Sequence, residues 1–136
     1  MIALDTNVLV RFLTQDDPEQ GRLASQLMGQ LTQMRPGFVC REVLVELVSV
    51  LERSYGYGRD AIARVLEGFL AAIELVIEEA DAVGAILDLY ERSGFGFADL
   101  MIREAARRAG TGKLVTFDRK AADMDGVFLL SDATVV

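Results

Sequence analysis

What most constrains this chain is a regular alternation of short apolar runs with longer stretches of helical periodicity. The runs sit at Ile2–Leu4, Phe38–Cys40, Leu75–Ile77, Leu114–Phe117 and Val127–Leu130. Short strands separated by helices build a parallel sheet with helices packed on it. The expected class is therefore α/β, a parallel sheet with helices on its faces. At 136 residues the chain is expected to be a single domain over 1–136. It contains no repeat, low-complexity tract or Gly/Pro-rich linker.

Local signals bound the helices. Asp17-Pro18-Glu19-Gln20 sets an N-cap residue, a proline at the first helical position and a capping-box glutamine in order. The helix that follows is predicted to run to about Gln33, where Arg35-Pro36-Gly37 breaks it. A second is expected over about Arg41–Ser54, stopped by Tyr55-Gly56-Tyr57-Gly58. A third is expected over about Arg59–Ile73, where Ile62, Val65, Leu66, Phe69, Leu70 and Ile73 keep helical spacing. Two more fit about Ala80–Ser93 and Ala98–Ala109.

Composition narrows the chemistry. The chain has no histidine and one cysteine, Cys40. That removes Ser-His-Asp and Cys-His catalysis, imidazole ligation, multi-thiolate zinc sites and an internal disulfide. Apolar residues make up 51% and charged residues 26%, which excludes whole-chain disorder. Fourteen Lys and Arg against 21 Asp and Glu leave a charge of −7. Such a chain repels nucleic acid at long range, so a polyanion needs a local basic patch, a bound cation, or both. No apolar run approaches the roughly 20 residues of a membrane span. Asp5 follows the first run too closely for a signal peptide. A cytoplasmic protein with no membrane partner is expected.

The carboxylates fall at telling places. Ligands of open parallel sheets bind beyond the carboxyl ends of the strands. Asp5 directly follows the first run, and Asp118 the fourth. Asp99 stands at the start of a helix, in Gly94-Phe95-Gly96-Phe97-Ala98-Asp99. Glu46 lies about one turn into the helix after the second run. Taken singly, each aspartate also reads as a helix N-cap, a role worth about 1 kcal/mol. Glu42, Glu46, Ser49 and Arg53 share an arc of roughly 60° on a helix that is otherwise mostly apolar. That stripe faces either solvent or a polar cleft. Converging carboxylates raise each other's pKa. A hard divalent cation relieves that repulsion with oxygen ligands and substrate phosphate oxygens.

Four segments resemble the motifs of PIN-domain ribonucleases. They are Leu4-Asp5-Thr6-Asn7-Val8-Leu9, Glu46 within Glu42–Leu47, Phe97-Ala98-Asp99-Leu100-Met101-Ile102, and Leu114-Val115-Thr116-Phe117-Asp118. They occur in order across nearly the whole chain, and its size is most similar to VapC toxins of bacterial toxin–antitoxin pairs. The resemblance implies a PIN-like three-layer fold, in which the parallel sheet is small and twisted with helices on both faces. It implies a metal-dependent endoribonuclease that uses Mg²⁺, with Mn²⁺ as an alternative. It implies an acidic site of Asp5, Glu46, Asp99 and Asp118, with Asp5 and Asp99 the firmest ligands and Thr6, Asn7 and Thr116 in support. It also implies an RNA substrate, a small cognate antitoxin and a homodimer. One position departs: Gly96 stands where many members carry a further aspartate.

Charge and aromatic residues add to this. Met101–Lys120 holds six basic residues against Glu104 and Asp118, although the preceding thirty residues hold seven acids and only Arg92. Arg103, Arg107, Arg119 and Lys120 are thus candidate RNA contacts, the alternative being a solvated helix face. Phe12, Phe38, Phe69 and Phe128 read as core. The helices from Arg41 and Arg59 carry more apolar surface than one sheet face covers, with Tyr55, Tyr57 and Phe69 in the surplus; such patches mark interfaces. Three rivals remain. A haloacid dehalogenase-type phosphatase wants a second aspartate where Asn7 stands. A phosphoacceptor receiver domain wants an acidic pair after the first strand. A catalytically silent relative would act only through protein partners.

Overall fold

Three of the expected strands pair with one another, and the other two form a ladder of their own. The structure, a computed structural model, describes residues 1–134. It divides into two compact units, Met1–Gly84 and Ala85–Val136.

In the first unit β1 (Ile2–Ala3), β2 (Gly37–Val39) and β3 (Leu75–Ile77) run parallel in the order β1-β2-β3. Ile2 lies opposite Gly37, and Gly37 opposite Leu75, so all three carboxyl ends share one sheet edge. The crossover from β1 to β2 carries α1 (Thr6–Thr14) and α2 (Pro18–Gln30). The next carries α3 (Arg41–Tyr55) and α4 (Arg59–Ala71). Gly37 is needed for space: a Cβ there would lie 2.8 Å from Leu4 Cδ1 and 2.9 Å from Leu31 Cδ1. On α3 the buried residues are Leu44, Leu47, Val48 and Leu51, which keep the i, i+3, i+4, i+7 spacing of one helix face. Each such side chain contributes about 1.5–3 kcal/mol when buried. Glu42, Glu46 and Arg53, on the opposite stripe, are exposed. The helix stops at Gly56, whose φ of 68° a side chain would resist.

In the second unit α6 (Phe97–Arg108) leads to β4 (Leu114–Thr116), a 3₁₀ turn at Ala121–Asp123, and β5 (Val127–Leu129). The two strands are parallel, with Leu114 opposite Val127. Tyr90, on α5 (Ala80–Arg92), meets Phe97 edge-to-face with ring centroids 5.8 Å apart, and both are buried. Among the described residues no helix is long and apolar enough to cross a membrane.

Parallel pairing and the α/β alternation are as the sequence implies, but several details differ. The sequence pattern did not announce α1, because four of its nine residues, Thr6, Val8, Val10 and Thr14, are β-branched with weak helix propensity; packing against α2 and α3 overrides it. The next helix ends at Gln30 rather than Gln33. α4 ends at Ala71, so Ile73 leaves the apolar stripe and is 65% exposed. Phe69 is buried and does not belong to an apolar surplus, while Tyr55 and Tyr57 are half-buried. Phe128 is not core: it alternates with buried Val127 along β5 and is 46% exposed.

Candidate active site

At the carboxyl edge of the first sheet, Leu4 N–H donates to Phe38 O at 2.9 Å and carries the ladder to the residue before Asp5. Asp5 then leaves the strand and caps α1: its Oδ1 accepts from Thr6 N–H at 2.8 Å. Thr6 is buried, whereas Asp5 and Asn7 are exposed. α3 begins just beyond β2 with Cys40 as N-cap, and Cys40 gives no side-chain bond. Glu78, the first residue after β3, supplies the missing acceptor: its Oε1 takes Arg41 N–H at 2.8 Å. Glu46 lies five residues further along α3, roughly 7.5 Å up its axis. Asp5 and Glu78 thus directly follow β1 and β3, and Glu46 lies on the helix that follows β2 between them. The role of Glu78 escaped the sequence reading. Its signal was the poor capping residue Cys40, which stands at the equivalent position just after the neighbouring strand β2.

In the second unit the N-cap of α6 is Gly96, so Asp99 is not a cap but the third helical residue. It is half-buried, and among the described residues of its unit none donates a hydrogen bond to the carboxylate. Burial, and then the charge of Asp118, raise its pKa above the ordinary aspartate value. Asp118 follows β4 and is exposed. Its N–H donates to Thr116 Oγ1 at 3.0 Å, and its Oδ1 accepts from Ala121 N–H at 2.9 Å. Thr116 thereby fixes the backbone that aims Asp118, and Asp118 caps the 3₁₀ turn. A Cβ at Gly96 would lie 3.1 Å from Asp99 Oδ2. The space that a side chain at position 96 would take is held by the Asp99 carboxylate.

The four candidate RNA-contacting residues separate. Arg119 and Lys120 directly follow Asp118, beyond the carboxyl end of β4. Arg103 and Arg107 share a cleft with Lys113 at the amino ends of β4 and β5. Phe117, one residue before Asp118, is 78% exposed; the sequence reading placed it inside a strand run and passed over it.

Each unit therefore offers carboxylates at strand ends, and within neither unit, among the described residues, do three acidic side chains gather into a group that could hold a metal. Mg²⁺ asks for less: one or two carboxylates, several waters and substrate phosphate oxygens. Oxygen donors alone, with one carboxylate raised in pKa beside another, suit a hard divalent cation. Such a frame defines a class, α/β proteins with carboxylates beyond the carboxyl ends of parallel strands.

The comparisons are more specific. A sequence profile described as PIN domain matches residues 2–127, running through both units. Over 121 residues the chain is 31% identical to a VapC ribonuclease of Aquifex aeolicus (strain VF5), an alignment that covers 88% of this chain and 89% of that protein. The chain belongs to the PIN-domain family and, within it, to the VapC type. This sets aside the haloacid dehalogenase-type and phosphoacceptor readings. PIN and VapC nucleases generally use divalent metal ions.

Proposed function

We propose that this protein is an endoribonuclease, the toxin of a toxin–antitoxin pair, and that Asp5, Glu46, Asp99 and Asp118 act together as one acidic site of a single domain over 1–136. The observation that carries the reading is the Asp99–Asp118 pair: two carboxylates close enough to feel each other's charge, one of them partly desolvated and without a hydrogen bond to its carboxylate among the described residues of its unit. Kinship with a VapC ribonuclease supports the same conclusion. It also supports a small cognate antitoxin, a homodimer and a cytoplasmic setting.

The donor set fits Mg²⁺, with Mn²⁺ as its substitute. When bound, such a cation supplies an acidic water and neutralises charge on a phosphodiester. Asp5, Asp99 and Asp118 would hold it, and Glu46 would complete the ligand set or orient water. Thr6 N–H fixes one oxygen of Asp5 and leaves the other for this role. Thr116 holds the Asp118 backbone, and exposed Asn7 would support the site by orienting a carboxylate or water. Arg119 and Lys120 bind the RNA backbone beside Asp118. No side chain of this histidine-free chain has an ordinary pKa near neutrality, so none is a general base in its own right. Attack by water leaves a 5′-phosphate and a 3′-hydroxyl.

The test is to incubate the purified protein with single-stranded RNA, with and without EDTA, and to map the product ends. The reading expects cleavage that EDTA abolishes and ends bearing 5′-phosphates. Cleavage that persists in EDTA, or 2′,3′-cyclic phosphate ends, overturns the mechanism. No cleavage with either metal assigns the chain to the catalytically silent relatives.

A further inference from the structure

α6 ends in a turn that consumes its own carbonyls. Ala109 N–H donates to Ala105 O at 3.0 Å, Gly110 N–H to Arg107 O at 2.9 Å, and Thr111 N–H to Ala106 O at 3.1 Å. The Thr111 hydroxyl donates to the same Ala106 oxygen at 2.9 Å. Three of the last four carbonyls of the helix, those of Ala105, Ala106 and Arg107, are thus occupied, which reduces the unsatisfied acceptors that ordinarily repel anions from a helix C-terminus.

Beside this turn a cleft of about 400 Å³ opens at the amino ends of β4 and β5. That is the opposite end of β4 from Asp118. Arg103 Nη1 at 3.5 Å and Arg107 Nη2 at 3.3 Å both reach the backbone carbonyl of Asp125. Two guanidinium groups share one neutral acceptor. Burial, and then the charge of Arg107, lower the Arg103 pKa from its ordinary value. Arg107 also reaches the Asp125 carboxylate at 3.4 Å, but that side chain is 97% exposed and the pair is weak. Across the cleft the Lys113 ammonium lies 5.8 Å from the centroid of the half-exposed Phe128 ring.

A chain of net charge −7 has gathered three cations and an aromatic face around one cleft. Guanidinium forks match phosphate oxygens. An exposed ring next to cations is the chemistry by which proteins hold unpaired nucleotides. The volume falls in the range of small-ligand clefts, roughly 300–1,000 Å³, and suits one nucleotide rather than a duplex.

We propose that this cleft is a second RNA-binding site, which holds one nucleotide of the substrate strand away from the acids that cut it, its phosphate against Arg103 and Arg107 and its base or sugar against Lys113 and Phe128. The identity of the ligand rests on the ribonuclease reading; the anion site itself does not.

The experiment measures binding of a fluorescein-labelled single-stranded RNA to the full chain in EDTA, by anisotropy across a salt series. Arg107→Gln and Lys113→Gln should each weaken binding about tenfold and flatten the salt dependence by about one unit of slope. Asp125→Asn should tighten binding, an outcome that a merely structural role does not produce. With metal present, Arg107→Gln should raise KM and leave kcat unchanged. Arg103 is half-buried, so Arg103→Gln is read only alongside its circular dichroism. Unchanged affinity in both Arg107→Gln and Lys113→Gln overturns the proposal, whether or not the chain cuts RNA. Displacement of the strand by adenosine monophosphate at the strand's own affinity overturns it in favour of a free nucleotide. An effect of the variants on self-association alone overturns it in favour of an acidic protein surface. Wild-type protein that binds RNA through the cleft yet never cuts leaves the site standing and removes the ribonuclease reading instead.

Discussion

Asp5 accepts Thr6 N–H at 2.8 Å and starts a helix, whereas Asp99 is the third residue of its helix, with no hydrogen bond to its carboxylate among the described residues of its unit and a second carboxylate nearby. Their companions differ as well. Glu46 lies on an exposed polar stripe of α3, and Asp118 caps a 3₁₀ turn while facing Asp99. Asp5 and Asp118 stabilise the fold whatever else they do. Asp99 costs stability as long as it is ionised. A partly desolvated acid whose pKa is moved, among the described residues, by burial and a second carboxylate is a candidate for a functional group, compensated by something outside the fold.

Activity should separate the two pairs most. Asp99→Asn is expected to lower cleavage roughly 100-fold or more, the scale of losing a group that acts on developing charge. Glu46→Gln should cost less, about tenfold, as for a group that orients a ligand or water. Single-turnover rates on one RNA would check the ranking, and a larger loss in Glu46→Gln would invert the comparison.

The next effect is on stability. The Asp99 pKa is raised in the folded state, so the folded state binds its proton more tightly than the unfolded chain does. The penalty is absent below the ordinary aspartate pKa, grows as pH rises from there through the folded value, and is constant above it. Without metal at pH 7, Asp99→Asn should therefore melt above the wild type, and the gap should close on acidification. Added Mg²⁺ should stabilise the wild type by about 2.7 kcal/mol at a hundredfold excess over its Kd, and the variant less. Coincident melting curves at pH 7, with and without metal, would remove the strain argument.

The smallest effect sharpens the role of Asp5. Asp5→Ala should lose about 1 kcal/mol of stability with its cap. Asp5→Asn, whose amide oxygen still accepts Thr6 N–H, should keep the stability and lose the activity. Urea unfolding would show whether the two substitutions part in this way.

Much of this was legible before any coordinates. Asp5 and Asp118 could be placed at strand ends because strands alternate with helices, and a parallel ladder then aligns their carboxyl ends. The buried face of α3 could be read because Leu44, Leu47, Val48 and Leu51 keep helical spacing. What could not be read depends on neighbours distant in sequence. The cap that Glu78 gives α3 spans thirty-seven positions of chain from Arg41. Helix α1 forms against its tertiary contacts in spite of its β-branched residues. Asp99 looked like a cap because an aspartate near a helix start usually is one, and only the backbone shows Gly96 in that place. The basic segment was visible as composition, but its division between the two ends of β4 is a property of the fold.

The central proposal is that Asp5 and Asp99 serve one metal site. It is tested most directly by titrating Mn²⁺ into the metal-free wild type, Asp5→Asn and Asp99→Asn, with free Mn²⁺ followed by electron paramagnetic resonance. The account predicts that the two substitutions, one in each unit, weaken the same class of site. An unchanged Mn²⁺ affinity in Asp5→Asn, together with loss in Asp99→Asn, would contradict it and confine the metal to the second unit.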